Sequence, residues 1–168
     1  MSVELKDNTM QVKAEINRNT LNWLEEMAGL IESRTKQNTK GGGSGLRDTW
    51  QHVVDESKGE AIIGHPWQLA IWYELGTGKY AVNGDGRKGY WVYVKDGSDP
   101  SNATAEYPSS GEPYTLQEAK RICAMLISKG LDAYYTDGQE AHRPLEMAFE
   151  NNKEFMKKNL EERLKGMK

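Results

Sequence analysis

The run Pro66-Trp67-Gln68-Leu69-Ala70-Ile71-Trp72-Tyr73-Glu74-Leu75-Gly76-Thr77-Gly78 constrains this chain more than any other part of it. Pro66 suits a first helical position, where a missing N–H loses no hydrogen bond. Trp67, Ala70, Ile71 and the Tyr73-Glu74 pair then follow at helical spacing. Gly76 and Gly78 supply left-handed or tight backbone geometry that residues with side chains avoid. The segment predicts a short apolar helix that is buried and then left abruptly, with one glutamate held beside aromatic rings.

A chain of 168 residues is expected to form one domain, residues 1–168. That length buries a core without disulfides or metals. The net charge of −3 argues against generic nucleic-acid binding. The lone Cys123 excludes an intramolecular disulfide and fits synthesis in a reducing cytoplasm. No run approaches the length of a membrane span, so no membrane partner is expected. The first residues lack the basic-then-apolar pattern of a signal peptide.

Two long helices frame the chain. Val12, Ile16, Thr20, Trp23, Met27, Leu30 and Ile31 form a stripe at steps of three and four. Asn8 with Gln11, or Thr9, is a candidate cap, and Val3 and Leu5 a short preceding strand. The helix is expected to fade near Lys36. Residues 37–45 have the composition of a flexible linker, ending in Gly41-Gly42-Gly43-Ser44-Gly45. A hairpin follows: residues 46–54 with Trp50, His52 and Val54 on one face, a turn at 56–59, and a return through Ala61, Ile62 and Ile63. At the other end, Pro144 opens a helix carrying Leu145, Phe149, Met156, Leu160 and Leu164.

Between these lie mobile loops at 79–89 and 96–113 and a strong strand, Tyr90-Trp91-Val92-Tyr93-Val94. Thr115 and Glu118 form a capping box for a helix presenting Leu116, Ala119, Ile122, Cys123 and Leu126, which Gly130 stops. Residues 131–135 read as a strand. The strand–helix–strand order suggests a β-α-β insertion with parallel strands. The predicted fold is α+β: a small mixed β-sheet with a hairpin, long terminal helices packed on it, and that insertion.

Several groups invite a chemical reading. Gly84-Asp85-Gly86-Arg87-Lys88-Gly89 matches G-x-G-x-x-G, but a dinucleotide site needs a strand before and a helix after, and here a strand follows. A turn is favoured, with Arg87 and Lys88 at its tip. His52, His65 and His142 lack zinc-ligand spacing. Cys123 lies on an apolar stripe, which favours packing over nucleophilic chemistry with His142 and Asp137. Glu74 is either a general base in an aromatic pocket or a structural carboxylate. In the second case it accepts N–H groups from the glycine turn or pairs with Arg47, and buried charges are usually paired. The central aromatics lack interleaved Lys or Arg, which favours packing and a protein contact surface over base stacking.

Three pieces occur in an order that resembles a known family. They are Gly43-Ser44-Gly45-Leu46-Arg47, then Ile71-Trp72-Tyr73-Glu74-Leu75-Gly76-Thr77-Gly78, then Arg143-Pro144-Leu145-Glu146-Met147-Ala148-Phe149. The family is that of head–tail joining, or tail-completion, minor structural proteins of tailed bacteriophages, the neck proteins of siphophages. Ser44 stands where the family usually has threonine, and Leu75 where phenylalanine is common. The resemblance runs from about Gln11 to Leu164 and is weakest over 96–113.

The resemblance implies a virion or prophage structural protein and not an enzyme. About six copies would form a ring, consistent with closed cyclic symmetry. The ring would sit between the head connector and the tail tube or tail terminator, after synthesis in the bacterial host cytoplasm, and DNA would pass without specific binding. No catalytic, cofactor-binding or metal-binding residues are expected. The expected assembly contacts are Arg47, Trp50, Glu74, Gly76, Thr77, Gly78, Tyr80, Arg87 and Lys88. Two alternatives remain at this stage: the collar of a phage-tail-like bacteriocin, and a small nucleotide- or nucleic-acid-acting enzyme centred on Glu74.

Overall fold

The structure, a computed structural model, describes residues 9–41, 43–95, 104–106 and 113–166. The chain divides into two compact units, Met1–Pro66 with Pro144–Lys168, and Trp67–Arg143. The class is α+β. The candidate strand at Val3 and Leu5 and the Asn8 cap lie outside the described residues.

The first unit contains α1 (Thr9–Asn38), α2 (Gly43–Asp48), the hairpin strands β1 (Gln51–Asp55) and β2 (Glu60–Gly64), and α5 (Pro144–Gly166). Met27 and Ile31 on α1 meet Ala148 and Met156 on α5, with Trp23, Leu30, Ile63 and Leu145 packed around them. The two helices run antiparallel: Asn38 Nδ2 donates to the Pro144 carbonyl at 3.2 Å, and Arg163 pairs with Glu26 toward the other end. α5 ends within a turn of Arg163, so the first turns of α1 project past it. The predicted stripe is buried at Met27 and Ile31, whereas Ile16 is 39% exposed, and nearby Met10 is 86% exposed.

One expectation is narrowed here and one changes. Within 37–45, α1 runs to Asn38, just past the expected Lys36, and α2 begins at Gly43. Thr35 and Thr39 show how polar residues are buried at this end of α1 without loose hydroxyls. Each hydroxyl donates to the carbonyl one turn back, on Ile31 and Thr35, at 2.8 Å, and both residues are buried. Leu46 lies in α2, not in a strand, and is buried there. The hairpin itself pairs antiparallel with Val53 opposite Ile62, and His52 and Val54 face inward as expected.

The second unit contains α3 (Leu69–Leu75), β3 (Trp91–Val94), β4 (Thr104–Glu106), α4 (Leu116–Ser128) and β5 (Ala133–Thr136). Helix α3 starts three residues later than Pro66 suggests. α4 carries the predicted capping box: the Glu118 N–H reaches Thr115 Oγ1 at 3.3 Å, and the Glu118 carboxylate accepts the Thr115 N–H at 2.8 Å. Ala119, Cys123 and Leu126 bury against Val92 and Ala133. The Cys123 thiol donates to the Ala133 carbonyl at 3.2 Å, as a core cysteine does.

The strand direction corrects the expected parallel pair. β3 and β5 are antiparallel neighbours, and the sheet order is β4-β3-β5. The cause is β4, which lies inside the stretch 96–113 read as a loop. It pairs antiparallel with β3 and reverses the chain before α4. The helix thus connects β4 to β5, which run parallel with β3 between them, a split β-α-β arrangement. Among the described residues the strands form two antiparallel sheets rather than one mixed sheet.

Candidate functional site

The predicted turn is built from two segments far apart in sequence. α3 closes with the Gly76 N–H bonded to the Trp72 carbonyl at 2.9 Å. Thr77 N–H then donates to the Gln139 carbonyl at 2.9 Å, and Lys79 N–H to the Asp137 carbonyl at 3.1 Å. Gln139 N–H answers at 3.0 Å to Thr77 Oγ1. The Thr77-Gly78 and Asp137-Gly138 dipeptides lie backbone against backbone. A Cβ on Gly78 would overlap the Asp137 carbonyl, and one on Gly138 the Thr77 carbonyl. Glycine is required by this approach as well as by the φ of +60° at Gly78.

Charge reinforces the same junction. Lys79 pairs with Asp137 and lies 4.7 Å from the centroid of the Tyr80 ring. Their hydrogen bond holds the Asp137 carboxyl below its ordinary range and the Lys79 ammonium above its own. Beneath the turn, the buried Tyr73 stacks on His142 with centroids 4.2 Å apart, and the His142 N–H donates to the Tyr73 carbonyl at 2.9 Å. A segment read as a mobile loop, 79–89, thus begins in a short 3₁₀ turn, Gly78–Tyr80.

Beside the turn lies an open groove of about 950 Å³. One wall is α3 and the turn, with Ile71, Trp72, Leu75 and Val82. The floor is the face of the sheet that carries Trp91 and Tyr93. The opposite face of that sheet carries Val92 and packs on α4. Ile71 is 58% exposed and Trp72 is 44% exposed. Cations that flank Trp91 and Tyr93 in sequence lie against aromatic rings. The Arg87 guanidinium sits 5.0 Å from the Trp91 ring and Lys95 Nζ 4.6 Å from the Tyr134 ring. Tyr134 in turn stacks on Tyr93, its cross-strand partner, at 5.5 Å.

The predicted contact residues therefore have different fates. Glu74 is half-buried on α3 and is not among the residues lining the groove. The N–H groups of Gly76, Thr77 and Lys79 go to carbonyls, so the glycine turn does not serve Glu74 through them. Gly76 and Gly78 are buried; Tyr80, Arg87 and Lys88 are exposed. Gly84-Asp85-Gly86-Arg87-Lys88-Gly89 leads into β3 and not into a helix. In the first unit, Arg47 is exposed and makes a two-point pair with its neighbour Asp48, at 2.8 and 3.2 Å. Trp50 is corrected from a contact residue to a core residue. It is 4% exposed, donates from Nε1 to Thr39 Oγ1 at 3.1 Å, and meets His65 edge-on at 5.2 Å.

Sequence reasoning missed Asp137, Gly138 and Gln139 as the second half of the turn. The Asp137-Gly138 dipeptide directly after a strand was a usable turn signal. Nothing in linear order pointed to Thr77 as its partner. Among the described residues no group of three or more His, Cys, Asp or Glu side chains is placed to hold a metal ion, and no helix is long and apolar enough to cross a membrane. Compared with family models, curated proteins and solved structures, the chain matches none.

Proposed function

We propose that this chain is a ring-forming structural subunit of the neck of a tailed-phage or prophage particle, joining the head connector to the tail. One observation carries the proposal. The motif that bears the family resemblance builds a locked backbone junction, and it leaves Ile71 and Trp72 on the wall of an open apolar groove. Large exposed aromatic and aliphatic side chains beside a rigid turn suit protein contact, since such anchors dominate interface energetics. The junction uses its polar groups on itself: Thr77, Lys79, Asp137 and Gln139 bond one another. The mild negative charge suits a subunit past which DNA moves without being held.

The test is to purify particles from an induced host and locate the chain by mass spectrometry and electron microscopy. The expected result is a ring at the head–tail junction, lost when Trp72→Asp replaces the wild-type gene while the variant stays folded. Particles that assemble full-length tails on filled heads without this chain overturn the proposal. A chain found only in collars of headless tail-like particles moves the assignment to a bacteriocin.

A further inference from the structure

We infer that the groove of one copy receives the β1–β2 hairpin of the next copy, an assignment that rests on the self-assembling reading above. Two surfaces of the chain fit one another chemically. The outer face of the hairpin presents the cross-strand pair Val53 and Ile62, which are 63% and 61% exposed. Two directly opposed aliphatic side chains on a two-stranded ribbon form a ridge, and among the described residues no third strand pairs with either edge of that ribbon. The groove offers the reciprocal shape: an open apolar channel with Ile71, Trp72, Leu75 and Val82 along its wall.

Charge selects the same pairing. The turn end of the hairpin carries Asp55, Glu56 and Glu60 against the single cation Lys58. Arg87 and Lys95 line the groove against the single acid Asp85, and Lys88 adjoins them. The hairpin end is thus acidic and the groove rim basic. Complementary potentials set orientation and suppress wrong partners. A ridge on one surface meeting a groove on a different surface is a heterologous contact. Repeated from copy to copy, it closes into a ring or runs on as a filament.

The experiment mixes two full-length single variants, Val53→Cys and Val82→Cys, under mild oxidation, with light scattering on the same samples. Both positions are exposed and the native Cys123 is buried, so the wild-type chain serves as the background. A disulfide-linked dimer is expected at least about tenfold above either variant alone, because docking raises the local thiol concentration. Adding Ile62→Asp to the first variant should abolish it, and raised salt should reduce it. Multimers without the mixed disulfide overturn the hairpin-in-groove contact and leave the neck reading standing. A monomer that never cross-links overturns the contact too, and particle microscopy then judges the neck reading independently.

Discussion

Gly78 and Gly138 occupy each other's side-chain space: a Cβ built on either would fall within 3.0 Å of backbone atoms flanking or belonging to the other. This mutual exclusion ties the end of α3 to the segment after β5. It turns a pair of ordinary turn signals into a single junction, with Lys79 and Asp137 clamping it from outside.

Gly78→Ala should therefore destabilise the second unit by about 3 kcal/mol or more, from backbone strain plus a clash that cannot relax locally. Gly130→Ala is the control. Gly130 also has a positive φ, +84°, but a Cβ there meets nothing within 4 Å. Its loss should be about 1 kcal/mol, the left-handed penalty alone. Denaturant titration of both variants checks this. Equal losses would remove the close approach from the account.

Trp50→Phe should cost about 2 kcal/mol, combining lost volume with a lost hydrogen bond to the buried Thr39 hydroxyl. A surface contact residue would change stability by under about 0.5 kcal/mol. The thermal midpoint of the isolated chain separates the two roles.

His52 makes the first unit sensitive to pH. Its Nδ1 lies 2.5 Å from Glu32 Oε2 and its Nε2 3.2 Å from Glu25 Oε1. The bond to Glu32, with help from Glu25, raises the imidazole above its ordinary 6.5. A raised folded value means the stabilisation is complete below about pH 6.5 and is lost as pH rises through the folded pKa. For Glu32, burial pushes the other way, but bonds from Lys36 and His52 together hold the carboxyl below its ordinary 4.5. Its contribution is present above that value and lost as pH falls through the folded one. The melting temperature should fall from about pH 6 to pH 9, and His52→Gln should flatten that slope. An unchanged slope in the variant would falsify the tether.

Thr115→Ala removes the hydroxyl that accepts the Glu118 N–H. The expected loss is about 1 kcal/mol. Hydrogen exchange should quicken first at the start of α4, and protection unchanged there would count against the capping box as a stabilising element.

Elements whose causes lie within one turn of helix or one hairpin were legible in linear order. Pro144 opening α5, the Thr115–Glu118 cap, Gly130 after α4 and the antiparallel hairpin all follow from short-range geometry. The buried stripe of Ala119, Cys123 and Leu126 follows from helical period alone. The reading failed where a local signal was weak and a distant partner strong. Residues 43–45 look like linker and Leu46 like the start of a strand, yet 43–48 form a helix in which Leu46 is buried. β4 is three residues long, too short to announce itself, and it alone reverses the direction of β5 relative to β3.

The sequence by itself determined the α+β class, the two long helices and the position of the glycine turn, because periodicity, caps and backbone freedom act over a few residues. Only the tertiary structure decided that Thr77 meets Gln139, that Lys95 covers Tyr134, and that Trp50 turns inward. Those pairings depend on which backbones can approach and which faces remain to be buried after the local elements form. That competition is settled in three dimensions and leaves no periodic mark along the chain.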